Sequence, residues 1–330
     1  MNGGSASVQA HLMRRARWGN AEIAFWILLV LLIFALPSRA LLINEILIAG
    51  LFAMSLDLIL GYAGILSLGH AAFFGTGAYG AAILASRGVS DPLVGLVLAS
   101  LMAGLLGLAT APLVLRGADL TRLMVTLGIC LMLGELANRN AWVTGGADGL
   151  NLEFTPILHL FPIGFTGQRN AALYSLTVLF AAFALARRIV QSPFGLSLRA
   201  LRENRLRAGA LGISAPRRLI AIYAIAATFA GAAGALVAQT TQVVSLDVFD
   251  FHRSADVLLM LIIGGTGFLY GGIIGAALFI AIKDSLSTVT PEYWEFWIGL
   301  LLIALVLAGR ERIGAGIARL LSRRGHRGAT

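Results

Sequence analysis

Six ionisable side chains stand inside apolar runs of this chain: Glu45, Asp57, His70, Glu135, Asp256 and Lys283. A charge in hydrocarbon is costly, so each is a candidate contact for an ion, a proton or a substrate. Glu45 and Lys283 lie close enough to the ends of their runs to snorkel to an interface. Asp57 and His70 flank a glycine-rich stretch, and if the chain folds back there the two meet near one membrane face. The plainer alternative is a neutral histidine on a backbone partner and an aspartate that accepts from exposed backbone N–H groups. Glu135 is placed to face a neighbouring helix. Asp57, Glu135 and Asp256 would serve as ion sites in a secondary transporter, although a proton relay needs a denser chain of groups.

A second constellation is basic. Arg187 to Arg218 reads RRIVQSPFGLSLRALRENRLRAGALGISAPRR, with eight arginines and one acid, Glu203. Ser192 as N-cap, Pro193 in the first turn and a stop from Gly212 and Pro216 predict one short helix between Ser192 and Gly212. Leu198, Leu201, Ala208 and Leu211 share one face. Arg199, Arg202, Glu203 and Arg207 share most of the other, with Arg199–Glu203 and Glu203–Arg207 spaced as i,i+4 pairs. Such a helix is either a solvated loop held on one side by its charge or a docking element for a partner.

Missing motifs narrow the chemistry. No Gly-x-x-x-x-Gly-Lys-Ser/Thr occurs, so ATP is not bound here through a P-loop, and no His-Glu-x-x-His occurs. The single cysteine, Cys130, has no intrachain partner and no Cys/His cluster around it. The arginine runs lack the interleaved aromatics of a nucleic-acid surface. No catalytic residue, metal or cofactor is therefore expected.

The elements that must position these groups follow from composition. Of the 330 residues, 58% are hydrophobic and 12% charged, against about 25% charged in an ordinary globular domain. That excludes a soluble protein. The apolar runs have the length of about 20 residues that a helix needs to cross about 30 Å of hydrocarbon, and the alternating strands of a barrel are not seen. The expected architecture is an all-α polytopic membrane protein of about ten transmembrane segments, near 21–37, 41–60, 67–86, 93–115, 120–141, 171–190, 218–240, 254–266, 268–289 and 295–309. A basic tail, 1–20, precedes a membrane domain, 21–310, that contains the cytoplasmic loop 187–217. A second basic tail, 311–330, follows and is expected to lie on anionic lipid. With the N-terminus inside, nineteen arginines fall on the inner side and six basic residues on the outer. The positive-inside rule therefore selects N-in and C-in.

Two glycine-broken stretches interrupt the helices. The first holds Gly61, Gly64, Ser67, Gly69 and His70; the second holds Gly264, Gly265 and Gly267. Irregular backbone survives in a membrane only against protein or a wet cavity. One break in each half of the chain points to a repeat-built transporter with discontinuous helices, and to these residues, with Asp57 and Glu135, as candidates for the translocation pathway. Close helix–helix packing through small residues is the competing explanation for the same glycines.

The residues resemble a known family. Leu56–Gly64, Leu66–Gly75 and Gly77-Ala78-Tyr79, then Thr126-Leu127-Gly128 with Glu135 and Thr144–Leu150, are similar to branched-chain amino-acid ABC permeases of the LivM type. So are Ser192–Gly195, Arg199–Asn204, Ala210–Ile213, Phe229–Leu236, Asp256–Met260 and Gly264–Gly267, within a coverage of roughly 41–310. The resemblance implies an importer of the bacterial inner membrane that moves branched-chain or other hydrophobic amino acids, with relatives that carry urea or short amides. It implies a second homologous permease, two cytoplasmic ABC ATPases and an external binding protein as partners, and no nucleic acid. It places the coupling helix on Arg202, Glu203, Asn204, Ala208 and Gly212, flanked by Arg199 and Arg205. Arg205 departs from the acidic or apolar residue common in the family, and Gly209 stands where alanine is usual.

Overall fold

The computed structural model describes residues 19–152, 167–289, 291–293, 296–300 and 303. Both basic tails, the Gly- and Pro-bearing segment 153–166 and most of the tenth apolar segment lie outside the described residues. The helices are α1 Asn20–Ala35, α2 Ala40–Leu60, α3 Ala71–Ser86, α4 Pro92–Arg116, α5 Asp119–Arg139, α6 Gln168–Gln191, α7 Pro193–Glu203, α8 Arg205–Ala210, α9 Ala215–Thr241, α10 Phe251–Gly264 and α11 Leu269–Val289. Among the described residues six stretches, Pro37–Leu60 and those of α4, α5, α6, α9 and α11, are long and apolar enough to cross a membrane, while α1 and α3 are shorter apolar helices. Helix α10 has 14 residues.

Local signals set several boundaries. Asp91 caps α4 by accepting from the N–H groups of Leu93 and Val94, with Pro92 at the first position. Ser192 accepts from the Gly195 N–H and starts α7 behind Pro193. The single helix expected from Ser192 to Gly212 is instead two. Asn204 is extended (φ −157°, ψ 105°), and its side chain accepts from the Arg207 N–H to cap α8. Asparagine competes for backbone donors in this way, and here that competition breaks the helix. A continuous i,i+4 relation between Glu203 and Arg207 is thereby lost. The third segment also starts later than expected, at Ala71.

Helix α2 is apolar on every side and is buried on nearly all of it, as a central helix must be. It packs against α6, α9, α10 and α11, while α9 packs against α2, α3 and α4. Small residues make the α3–α4–α9 contact possible. A side chain on Gly77 would run into the Gly231 carbonyl, and one on Gly234 into the Phe74 carbonyl. Gly104 and Gly107 press against Thr228 and Ala227 in the same manner. These glycines serve helix packing, because close backbone approach is the main source of association energy in lipid.

Contacts sort the helix ends into two sets. At one end Arg187 Nη1 of α6 lies 2.5 Å from Glu22 Oε2 of α1, close to α7 and the C-terminus of α2. At the other end Arg39 Nη1 lies 3.6 Å from Asp284 of α11. There β1 (Leu150–Asn151) also pairs antiparallel with β2 (Val243–Val244). A buried polar net ties that second end. Ser175 Oγ donates to Asn44 Oδ1 (2.6 Å), Asn44 Nδ2 to Thr240 Oγ1 (3.1 Å), Tyr174 OH to Gln239 Oε1 (2.9 Å) and Gln239 Nε2 to the Pro92 carbonyl (2.7 Å).

The packing account separates two glycines. Gly77→Ala should destabilise the protein by about 1–3 kcal/mol, since overpacking forces the backbone apart. Gly128→Ala, where a methyl group meets nothing within 4 Å, should be neutral or stabilising by up to about 1 kcal/mol. Thermal denaturation in detergent reads both, and equal shifts would contradict the account.

Candidate functional site

The first break begins as a helix C-terminus. The N–H groups of Gly61 and Tyr62 donate to the Asp57 carbonyl (2.7 and 3.2 Å), Gly64 N–H to Leu60 and Ile65 N–H to Ile59. Gly64 has φ +68°, the left-handed geometry that ends a helix and favours glycine. From Ile65 to His70 the backbone is not helical, and donors in and just after this run reach other elements. Leu68 N–H reaches Thr126 Oγ1 (3.3 Å) and Ala71 N–H reaches Ser254 Oγ (2.9 Å). Gly69 sits so close to the Thr126 carbonyl that no Cβ fits. The irregular backbone thus lies against protein, as the membrane requires.

The second break follows α10. Gly265 and Gly267 have φ of +100° and +80°. Gly264 packs backbone to backbone on Gly271, and Gly275 does the same on Met260, so α10 and α11 touch without intervening side chains.

The two breaks meet. Asp57 Oδ1 accepts from the Gly267 N–H at 2.7 Å, across 210 residues of sequence. Arg202 Nη1 of α7 donates to the Gly61 carbonyl. Where a side chain would start at Gly267, the nearest groups are the Arg202 guanidinium and the Gly61 carbonyl, both at 3.4 Å. Gly64 opens onto the Arg202 stem at 3.1 Å. The Arg199 guanidinium lies over the Tyr62 ring, 5.2 Å from its centroid. One carboxylate, two backbone groups and one guanidinium therefore join α2, both breaks and α7. Hydrogen bonds with an ionised partner are about twice as strong as neutral ones.

Of the two readings of Asp57 and His70, the plainer one holds for Asp57, whose carboxylate accepts from a backbone N–H, while His70 has the Ser55 hydroxyl in place of a backbone partner. Ser55 Oγ donates to the Phe52 carbonyl (2.6 Å) and lies 2.8 Å from His70 Nε2. His70 also stacks on Phe52 at 5.4 Å, away from the Asp57 carboxylate's partner Gly267. Ser67 is buried. Glu135 does not face a neighbouring helix; it is on the surface, where Oε1 accepts from Arg139 Nε at 2.7 Å.

Among the arginine-rich residues, Arg199 and Arg202 face the breaks. Glu203 and Arg205 are exposed, Ala208 is buried, and Gly212 (φ +81°) ends α8. Leu211 does not join Leu198 and Leu201 on a buried face. It is 74% exposed and Leu206 is 89% exposed, because the kink at Asn204 rotates α8 away from α7.

Sequence reasoning missed Arg253 as a site residue and treated Glu45 and Lys283 as snorkelling. All three line a cavity of about 280 Å³ with Asp256. The available signal was Arg253 and Asp256 one turn apart at the start of α10.

Comparison with known proteins adds the lineage. The family model described as branched-chain amino acid transport system / permease component matches residues 38–306. The high-affinity branched-chain amino acid transport system permease protein LivM of Salmonella typhimurium is 30% identical over 283 residues, and that of Escherichia coli 29% over 280. Each alignment takes in 78% of this chain and 65% of the relative, so the chain spans about two thirds of the length of these proteins. The probable branched-chain amino acid transport permease protein LivM of Methanocaldococcus jannaschii is 27% identical over 270 residues, 70% of this chain and 76% of that protein. No solved structure matches the chain.

Removing the carboxylate should release the second break. In Asp57→Ala the Gly267 amide should exchange with deuterium at least roughly tenfold faster, from the loss of a charge-assisted hydrogen bond. Exchange mass spectrometry on peptides covering 264–268 reads this. Glu135→Ala should leave the rate unchanged, and equal rates in wild type and Asp57→Ala would contradict the assignment.

Proposed function

The chain belongs to the branched-chain amino acid transport system permease family, and from that membership we propose that it forms half of the membrane pathway of an ABC importer for branched-chain or other hydrophobic amino acids. A second related permease completes the pathway. Two cytoplasmic ATPases hydrolyse the ATP, an external binding protein delivers the substrate, and this chain itself catalyses nothing. The names of the LivM relatives support the substrate class.

The observation that carries the proposal is the two-sided character of the α7–α8 element. One side holds the first glycine break through Arg202 and Arg199, and Asp57 links that break to the second. The other exposes Leu206 and Leu211 among arginines. An exposed apolar pair rimmed by charge is the composition of a protein-docking patch. In this reading the ATPases dock on α8, and their closure moves α7, which moves the two breaks. Arg199, Arg202, Glu203, Asn204, Arg205, Ala208 and Gly212 make up the coupling segment. Asp57, Gly61, Gly64, Gly264, Gly265 and Gly267 make up the responding region, with Ser67, Gly69 and His70 further along the first break.

The membrane arrangement is part of the same proposal: N-in and C-in, about ten crossings and a repeat-built domain over 21–310, with 187–217 and both tails in the cytoplasm. Two features support it. The start of α1 meets the end of α6 through Glu22 and Arg187, and the start of α2 meets the end of α11 through Arg39 and Asp284. One break also falls in each half.

Glu203→Arg and Leu206→Asp test the docking side in the assembled transporter. Each should lower substrate uptake about tenfold or more, the size of one lost interface hot spot, while the chain still inserts and the ATPases still hydrolyse ATP. Normal uptake in both variants would remove the coupling role. Uptake of urea without leucine or valine would overturn the substrate class and leave the family unaffected.

A further inference from the structure

A cavity of about 410 Å³ lies between the C-terminal end of α4, the first residue of α8 and the start of α9. Helices α4 and α9 run antiparallel. Gln239, near the end of α9, donates to the Pro92 carbonyl at the start of α4, so Arg116 and the first turn of α9 come together at the opposite end. Helix α4 has 25 residues, roughly 37 Å of helix against about 30 Å of hydrocarbon. When α4 crosses a membrane, Arg116 in its last turn therefore reaches the depth of the lipid headgroups.

The lining has two characters. Its charged residues are two arginines from different elements, Arg116 of α4 and Arg205 of α8, and among the described residues it holds no carboxylate. Both arginines are exposed, and among the described residues no ion pair holds either one. The walls are apolar: Pro112 and Leu115 on one side, Leu219 and Ile220 on the other. From Pro112 the apolar surface continues down α4, where Leu108, Leu105 and Leu101 are exposed at the spacing of one helix face.

Charge and shape together select the ligand. A soluble anion would use the arginines and leave the apolar walls and stripe bare. A neutral lipid would use the stripe and leave two cations without a partner. A molecule with an anionic head and a long hydrocarbon tail uses both. We propose that this cavity holds the headgroup of an anionic phospholipid, its phosphate between Arg116 and Arg205 and one acyl chain along Leu108, Leu105 and Leu101. The guanidinium fork matches phosphate oxygens, and basic pockets between membrane helices on the cytoplasmic side take anionic headgroups by this chemistry. The positive end of the dipole of α9, a 27-residue helix that opens at the cavity with Ala215, adds to the attraction. The bound lipid bridges α4 to α8 and so fastens the exposed arginine-rich element to the bundle. The proposal is independent of the cargo.

The test is native mass spectrometry of the purified full-length chain, titrated with phosphatidylglycerol or with phosphatidylcholine of the same acyl chains. The first phosphatidylglycerol should bind at least about fivefold more tightly than phosphatidylcholine. Arg116→Gln and Arg205→Gln should each weaken it by a similar factor and leave phosphatidylcholine unchanged. Arg188→Gln, at an exposed arginine on α6 at the same end, should have no effect. Equal affinity of the wild-type chain for the two lipids would overturn the proposal whether or not the variants fold. An equal loss in Arg188→Gln would overturn it too, because the attraction would then belong to the whole basic surface. Displacement of the lipid by equimolar glycerol 3-phosphate would show that the cavity reads a free phosphate and not a lipid. In the permease–ATPase complex the lipid should stay bound; its loss on assembly would mean that a protein partner fills the cavity, and would likewise overturn the proposal.

Discussion

The hydrogen bond from the Gly267 N–H to the Asp57 carboxylate is the interaction on which the arrangement depends. It joins two stretches of irregular backbone that lie at opposite ends of the sequence. Without it the Gly267 N–H would lose its acceptor. An unpaired backbone group costs several kcal/mol in hydrocarbon. With it, α2 and the second break become one unit, and Arg202 attaches that unit to α7 through the Gly61 carbonyl. The glycines there are required by this geometry: Gly64, Gly265 and Gly267 have positive φ. At Gly61 a Cβ would collide with the Asp57 carboxylate and the Gly267 amide.

Around this joint the described helices are fastened to one another in other ways. The α3–α4–α9 contact is built from backbone against backbone through small residues. The far end is fixed by the Asn44, Ser175 and Gln239 hydrogen bonds and by the two-residue strand pair. A bundle clamped in these places has little freedom except where the helices are interrupted. The interruption is also where the arginine-rich element attaches. In the proposed coupling role, displacement of α7 would pull on Gly61, and the Asp57–Gly267 bond would carry it to α10 and α11.

Much of this was legible in the sequence. Apolar runs of the right length placed nine of the ten expected segments close to described helices, and the glycine clusters marked both breaks. The cap signal at Ser192 and Pro193 needed no tertiary context. What escaped was tertiary. Periodicity says which residues share a face and nothing of a partner 210 residues away, so a backbone N–H was readable as a kind of partner for Asp57 while its identity, Gly267, was not. Asn204 sits in a run of good helix formers, and only its own side-chain capping reveals the break after Glu203. Glu135 occupies an apolar run and still ends on the surface beside Arg139, because its helix α5 is covered on few sides. The charged cavity draws one or two residues from each of several helices, and no local pattern displays such a set.

A double-mutant cycle on Asp57 and Arg202, reading substrate transported per ATP hydrolysed in the assembled complex, tests the central claim most directly. If the carboxylate and the guanidinium act through one joint, Asp57→Asn and Arg202→Gln each lower that ratio. The double variant then loses little more than the worse single one, a departure from additivity of about 0.5–3 kcal/mol. Two independent losses that simply add, or single variants with an unchanged ratio, would show that the breaks and α7 are not mechanically connected.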